Sequence, residues 1–125
     1  MEKKRILIID DEEGFTKLIK LNLELTGKFE VRVENKGGKG LEAAKEYKPH
    51  LILLDVIMPD LEGSEVAAQL MEEPTTKDIP VVFLTAIITK KEKKGECGLI
   101  GGHSFLAKPV SLKELVNCIE KNICS

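Results

Sequence analysis

Short, almost unbroken apolar runs recur along the chain, and amphipathic stretches separate them. Arg5–Ile9, Leu51–Leu54 and Pro80–Leu84 suit strands buried on both faces. Phe29, Val31 and Val33 alternate with Glu30, Arg32 and Glu34, the pattern of a half-exposed edge strand. Ser104–Ala107 reads as a fifth strand. Between these lie helical patterns. Glu13–Leu25 offers Phe15, Leu18, Ile19, Leu21, Leu23 and Leu25 as an apolar stripe, with Asp11 or Glu12 to start it and Gly27 to stop it. Gly37–Tyr47 turns Leu41, Ala43, Ala44 and Tyr47 inward and ends at Pro49, and Ser64–Met71 stops before Pro74. Leu112–Ile123 closes the chain, and Ser111 with Glu114 forms a capping box at its start. Strands alternating with helices predict a three-layer α/β/α, doubly wound fold. Right-handed crossovers and one edge-type second strand give a five-stranded parallel sheet of order 2-1-3-4-5.

A length of 125 residues fits one domain over 1–125, with no repeat, linker or low-complexity tract. The 19 basic and 21 acidic side chains leave a formal charge of -2, which argues against the basic surface that nucleic-acid binding needs. No apolar run approaches the ~20 residues that span a bilayer, and no signal-peptide core follows Met1, so membrane insertion is not expected. Cys97, Cys118 and Cys124 form no CxxC pair and no zinc-ligand spacing with His50 or His103. So sparse and odd a set reads as reduced intracellular thiols.

The chemistry sits after the strands. In a parallel α/β sheet every strand points the same way, and ligands bind beyond the carboxyl ends. Strand one ends in Asp10-Asp11, strand three in Asp55, strand four in Thr85 and strand five in Lys108-Pro109. Any one acid there can be read as a helix cap. Three carboxylates, a hydroxyl and an ammonium delivered to one rim point instead to a site. Such carboxylates cannot all ionise without a counter-charge. Oxygen-only donors suit Mg²⁺, Mn²⁺ or Ca²⁺ rather than zinc. A hard cation, Lys108 and Thr85 around one carboxylate would hold the equatorial oxygens of a phosphoryl group, which a carboxylate can itself accept.

These residues resemble the receiver domain of two-component response regulators in its single-domain form, over Lys4 to Ile123. The resemblance rests on Ile8-Ile9-Asp10-Asp11-Glu12, Leu53-Leu54-Asp55-Val56-Ile57-Met58-Pro59-Asp60 with Gly63, Phe83-Leu84-Thr85-Ala86, and Phe105-Leu106-Ala107-Lys108-Pro109. It implies a flavodoxin-like fold and a phosphoacceptor at Asp55. Asp11 would ligate Mg²⁺ directly (Mn²⁺ as an alternative), Asp10 through water, and the Ile57 backbone carbonyl would complete the protein ligands. Lys108 and Thr85 would contact the phosphoryl group, Phe105 would be a rotating aromatic switch, and Pro109 would follow a cis peptide.

The resemblance also implies a cytoplasmic signalling module that assists its own Mg²⁺-dependent phosphoryl transfer rather than an enzyme. A sensor histidine kinase or phosphotransfer protein would be the donor. The surface around the fourth helix, fifth strand and fifth helix would change toward an unidentified downstream protein, with a phosphorylation-linked homodimer allowed. Two departures stand out. Ile57 and Ile87 occupy positions where receivers often carry polar side chains near the hydrolytic water, so self-dephosphorylation should be slow. Gly95, Gly98, Gly101 and Gly102 weaken the fourth helix, which is expected to be short, ending near Gly95. The Lys90–Lys94 run reads as a solvated helix face.

Three other functions are weighed against this one. A flavodoxin-type carrier needs a phosphate cradle after strand one, where Asp10-Asp11-Glu12-Glu13 would repel phosphate. A haloacid-dehalogenase-like phosphatase places its nucleophile after strand one in a DxD motif. A non-phosphorylated pseudo-receiver interaction domain shares the fold but has no need of the full acceptor set. The chain is expected to stand alone or to be the receiver fragment of a longer regulator with an output domain.

Overall fold

The computed structural model describes residues 3–56, 62–85, 98–100, 103–107 and 111–123. In chain order these form β1 (Lys4–Ile9), α1 (Glu13–Leu25), β2 (Phe29–Glu34), a 3-10 turn (Gly37–Lys39), α2 (Gly40–Tyr47), β3 (Leu51–Asp55), α3 (Gly63–Glu72), β4 (Val81–Thr85), β5 (Gly98–Ile100), β6 (His103–Ala107) and α4 (Leu112–Ile123). The sheet order is β2-β1-β3-β4-β6-β5. The first five strands in that order run parallel, as the 2-1-3-4-5 expectation requires. The sixth, β5, is a short antiparallel addition beside β6 that periodicity does not reveal. Its one glycine, Gly98, is a poor helix former and Ile100 is β-branched, which suits an extended edge of three residues. The expected fourth helix falls mainly on residues 86–97, outside the described residues.

Strand periodicity divides the core into two clusters. Ile6, Ile8, Leu51, Leu53, Val82, Leu84 and Leu106 face Ile19 and Leu23 of α1 and Leu115, Cys118 and Ile119 of α4. Leu7, Ile9, Ile52, Leu54, Phe83 and Phe105 face Ala43 and Ala44 of α2 and Val66, Ala67 and Leu70 of α3. The central runs are therefore buried on both faces, and apolar burial at about 25 cal/mol per Å² is the main force closing the three layers. A Cβ on Gly40 would lie 2.8 Å from Ile9 Cδ1 and 3.1 Å from Val66 Cγ1, so any larger residue there requires those side chains to shift.

The expected α1 stripe is too broad. Only Ile19 and Leu23 among its apolar residues are buried and Phe15 packs beside them, while Leu18, Leu21 and Leu25 are 55%, 56% and 73% exposed. Positions 15, 19 and 23 recur every four residues and share a face; 18, 21 and 25 form a separate row. The caps also differ in detail. Glu12 precedes α1 without a side-chain cap, Gly27 takes φ 77° past its end, and at α4 half of the expected box forms: the Glu114 N–H donates to Ser111 Oγ at 3.2 Å, while the Ser111 hydroxyl donates to Glu114 Oε1 at 2.9 Å. His50 is the boundary residue its position suggests: its Nδ1 accepts the Arg5 N–H at 2.9 Å where β1 meets β3. The reading of the cysteines as free thiols is not upheld. Cys118 is disulfide-bonded, since an odd total does not prevent one pair; its partner lies outside the described residues.

At the β2 edge, side chains of α1 satisfy the outward backbone of Val31. Lys20 Nζ donates to the Val31 carbonyl at 2.8 Å, and Glu24 Oε2 accepts the Val31 N–H at 3.2 Å and a Lys20 hydrogen bond at 3.2 Å. Partial burial raises the Glu24 pKa, but the Val31 N–H and Lys20 outweigh it and hold the carboxyl below its usual value. Such contacts occupy groups that would otherwise template another strand. Glu24→Ala should cost about 1 kcal/mol in urea unfolding at neutral pH. The lowered folded-state pKa means the carboxylate's contribution is present above its unfolded value and lost as pH falls through the folded one. The wild-type advantage over Glu24→Gln should therefore shrink in acid below the ordinary glutamate range, which unfolding curves at stepped pH would register.

Candidate phosphoacceptor and cation site

Adjacent parallel strands deliver the acids. β1 pairs with β3 in a register that sets Ile9 opposite Leu54, so Asp10 and Asp55 are the next residues on neighbouring strands. Asp11 follows Asp10 in the turn into α1. One carboxylate oxygen from each of Asp10, Asp11 and Asp55 lies within 4.8 Å of the others. Asp10 is 0% and Asp55 6% exposed, and Asp11 is half-buried.

Backbone and side-chain contacts hold Asp10 in place. Its N–H donates to the Glu34 carbonyl at 3.1 Å, and its Oδ1 accepts the Glu12 N–H at 2.9 Å. Asn35 Nδ2 donates to the Asp10 carbonyl at 2.8 Å and to Thr16 Oγ1 at 3.1 Å, tying the end of β2 to the β1–α1 turn. Sequence reasoning passed over Asn35. A carboxamide directly after an edge strand is ordinary loop chemistry, and only the register β1·β2 brings it beside Asp10.

Asp55 is fixed from the other side. The Val56 N–H donates to the Leu84 carbonyl at 3.1 Å, and the Gly63 N–H to the Val56 carbonyl at 2.9 Å. Gly63 lies so close to the Asp55 carbonyl that a Cβ there would collide with it and would stand 2.9 Å from Val56 Cα. The start of α3 thus seats directly on the backbone of the acid.

Thr85 ends β4 one residue past Leu84, the register partner of Asp55, and so reaches the same rim. Phe105 lies in β6 opposite Phe83, 6% exposed within the α2–α3 cluster. Ile57, Lys108 and Pro109 lie outside the described residues, as does Ile87.

The donor set fits a hard divalent cation. Its ligands are carboxylate oxygens alone, two from buried residues, and their mutual repulsion falls when a cation sits among them. Two oxygens on one Mg²⁺ can be at most ~4.2 Å apart, given metal–oxygen distances of ~2.1 Å. The 4.8 Å bound leaves room for one acid to act through water.

Comparison with families of known proteins matches the response regulator receiver domain over residues 6–120. The chain belongs to the response regulator receiver family. It is therefore a phosphoacceptor signalling domain of two-component systems. It is 39% identical over 117 residues to the transcriptional regulatory protein YkoG of Bacillus subtilis, covering 93% of this chain and 49% of YkoG. It is 30% identical over 121 residues to the polar-differentiation response regulator DivK of Brucella anthropi, covering 94% of each. The chain spans about half the length of YkoG and of several other curated relatives it matches. Its fold is shared with the receiver domain of the sensor histidine kinase PA1611 from Pseudomonas aeruginosa (TM-score 0.84, 23% identity, 99% of this chain and 100% of that one), a structure with a magnesium ion in its active-site cleft. Among the described residues, no helix of this receiver domain is long and apolar enough to cross a membrane.

Two substitutions test the geometry. Gly63→Ala should lower stability by about 1–3 kcal/mol, the range for overpacking, and should also slow phosphoryl uptake because Asp55 must move with its carbonyl; urea unfolding and intact-mass kinetics measure each effect. Mg²⁺ should raise the melting temperature of the wild type through binding to the folded state alone, and Asp11→Asn should abolish most of that rise.

Proposed function

We propose that Asp55 is the phosphoryl acceptor and that Asp10 and Asp11 hold the Mg²⁺ ion, with Mn²⁺ as a substitute, that the transfer requires. The convergence of the three carboxylates on adjacent strand ends carries this reading. In the transfer, an Asp55 carboxylate oxygen attacks phosphorus in line as the bond to the donor nitrogen breaks, and the donor imidazole leaves. A bound divalent cation supplies positive charge against the phosphoryl oxygens. Asp11 would hold it directly and Asp10 by way of water, and the Ile57 carbonyl would complete the protein's share.

Lys108 pairs with the transferred group, and Thr85 donates to one of its oxygens. Phosphorylation adds about -1.5 to -2 of charge, which draws Thr85 inward and frees space for Phe105. The burial of Phe105 beside Phe83 supports a switch that works by repacking one apolar cluster. The change then biases the surface around β6, α4 and the segment before β5.

The phosphoryl donor is a sensor histidine kinase or a phosphotransfer protein, and the output is a contact with a downstream protein rather than with nucleic acid or membrane. A phosphorylation-linked homodimer is compatible with the same surface. The protein acts in the cytoplasm, over residues 1–125 as one receiver unit. It turns over no separate substrate. The same unit serves by itself, as the match along DivK suggests, or inside a longer regulator, as the half-length match to YkoG suggests.

Intact-mass analysis with acetyl phosphate and Mg²⁺ tests the assignment. Wild type should gain one phosphoryl group, whereas Asp55→Asn and EDTA-treated wild type should gain none; unchanged uptake by Asp55→Asn would remove Asp55 from the role. Ile57 and Ile87 cannot orient a hydrolytic water, so the acyl phosphate should persist for minutes or longer. Replacing both with polar residues should shorten its life, and loss of the wild-type phosphate within seconds would contradict the shielding.

A further inference from the structure

The carbonyl of Asp10 falls in the gap between two regular elements. The β1·β2 ladder ends with the Asp10 N–H on the Glu34 carbonyl at 3.1 Å, and the Thr16 N–H donates to the Glu12 carbonyl at 3.0 Å where α1 begins. Neither pattern reaches the peptide group that joins Asp10 to Asp11. Asn35 does. Its Nδ2 donates to the Asp10 carbonyl at 2.8 Å and to Thr16 Oγ1 at 3.1 Å. A carbonyl accepts and never donates, so the amide end of this side chain, not its oxygen, must face Asp10. Thr16 is 1% exposed, and its hydroxyl hydrogen goes to the Glu13 carbonyl at 3.0 Å, which leaves the oxygen to accept from Asn35. The carboxamide is thereby held at both hydrogens, between the β1–α1 turn and the first turn of α1.

A peptide group is planar, so the direction of the Asp10 carbonyl sets ψ of Asp10 and φ of Asp11 together. Those angles fix how the Asp11 side chain stands relative to Asp10. We propose that Asn35 is a positioning residue of the cation site, which clamps the Asp10–Asp11 peptide and so presets the spacing of the two carboxylates. The inference rests on the assignment of Asp10 and Asp11 to the cation, and Asn35 acts through them rather than on the cation itself. Asp10 has further anchors in its own N–H and in the Glu12 N–H on Oδ1. Asp11 lies past the end of β1 and before the start of α1, so its backbone direction depends on the clamp. Like charges within 4.8 Å push the acids apart until a cation binds. A preset peptide plane resists that spreading, so the carboxylates are ordered during folding rather than on binding. Asn35 directly follows β2, which makes the edge strand part of the frame around the cation.

Mg²⁺ binding and phosphoryl uptake, measured on the same variants of the full chain, test the clamp. Partners that orient metal ligands are worth roughly 10–100-fold in affinity, and one acting through the backbone belongs at the lower end. Asn35→Ala should therefore weaken Mg²⁺ binding about tenfold in a titration followed by proton–nitrogen correlation spectra, with no phosphoryl donor present. With acetyl phosphate, the Mg²⁺ concentration for half-maximal uptake should rise by a similar factor, while the rate at saturating Mg²⁺ stays close to that of the wild type. A general loss of stability would not divide the two quantities in this way. Thr16→Val removes the acceptor of the second hydrogen and should shift the Mg²⁺ titration in the same direction. The double variant should lose no more than Asn35→Ala, because the two side chains act as one unit. If urea unfolding in EDTA shows that Asn35→Ala does not fold, Thr16→Val decides alone. Wild-type Mg²⁺ affinity in folded Asn35→Ala or in Thr16→Val, or a fall in the saturated rate with affinity unchanged, would overturn the clamp. Asp11→Asn, run beside them, separates the two readings. If it keeps the wild-type Mg²⁺ response, the assignment of the acids falls and the clamp with it; if it loses that response while Asn35→Ala keeps it, only the clamp falls.

Discussion

Like-charge repulsion between buried acids is the constraint around which this receiver domain is arranged. Two ions separated by 4.8 Å at an effective dielectric constant of about 20 repel by on the order of 3 kcal/mol. Hydrophobic side chains contribute nothing to relieve it, so the fold must hold the carboxylates rigidly and leave the compensation to a cation. The β1·β3 ladder fixes Asp10 beside Asp55, Asn35 and the Glu12 N–H hold Asp10, and Gly63 clamps the Asp55 backbone. A site held this way needs little rearrangement when charge arrives, which is the condition for electrostatic stabilisation to be effective.

The sheet around that rim is asymmetric in how its two ends are finished. At β2, Lys20 and Glu24 occupy the outward backbone groups of Val31, and Tyr47 donates to Glu30 across the other face at 2.8 Å. At the other end the parallel sheet is extended by antiparallel β5. The acids sit between these ends, on strands buried from both sides, while the proposed switch residue lies next to the added strand. The acceptor's strand and the strand of the proposed switch residue are thus separated by only one strand, β4.

Most of the fold was legible because strands buried on both faces leave a nearly continuous apolar signal, and Ile6–Ile9 and Leu51–Leu54 could hardly be anything else. The acids were legible because a polar residue ending a buried strand is conspicuous. What was missed required the third dimension. The α1 stripe failed because alternating leucines satisfy several helical faces at once, and packing retained only the row through Ile19 and Leu23. Strand β5 has three residues, too few to show a period, and the glycines in and around it argued only against helix. Asn35 depends on contacts between segments distant in sequence, for which residue type and spacing carry no signal.

The central claim is that one of three converging carboxylates, Asp55, receives the phosphoryl group while the other two serve a cation. Borohydride reduction converts a phosphorylated aspartate to homoserine, and tandem mass spectrometry of the digest then locates it. After treatment with acetyl phosphate and Mg²⁺, homoserine should appear at position 55 and at neither 10 nor 11. Homoserine at position 10 or 11 in the wild type, or none at 55 in protein whose intact mass shows phosphoryl uptake, would contradict the account.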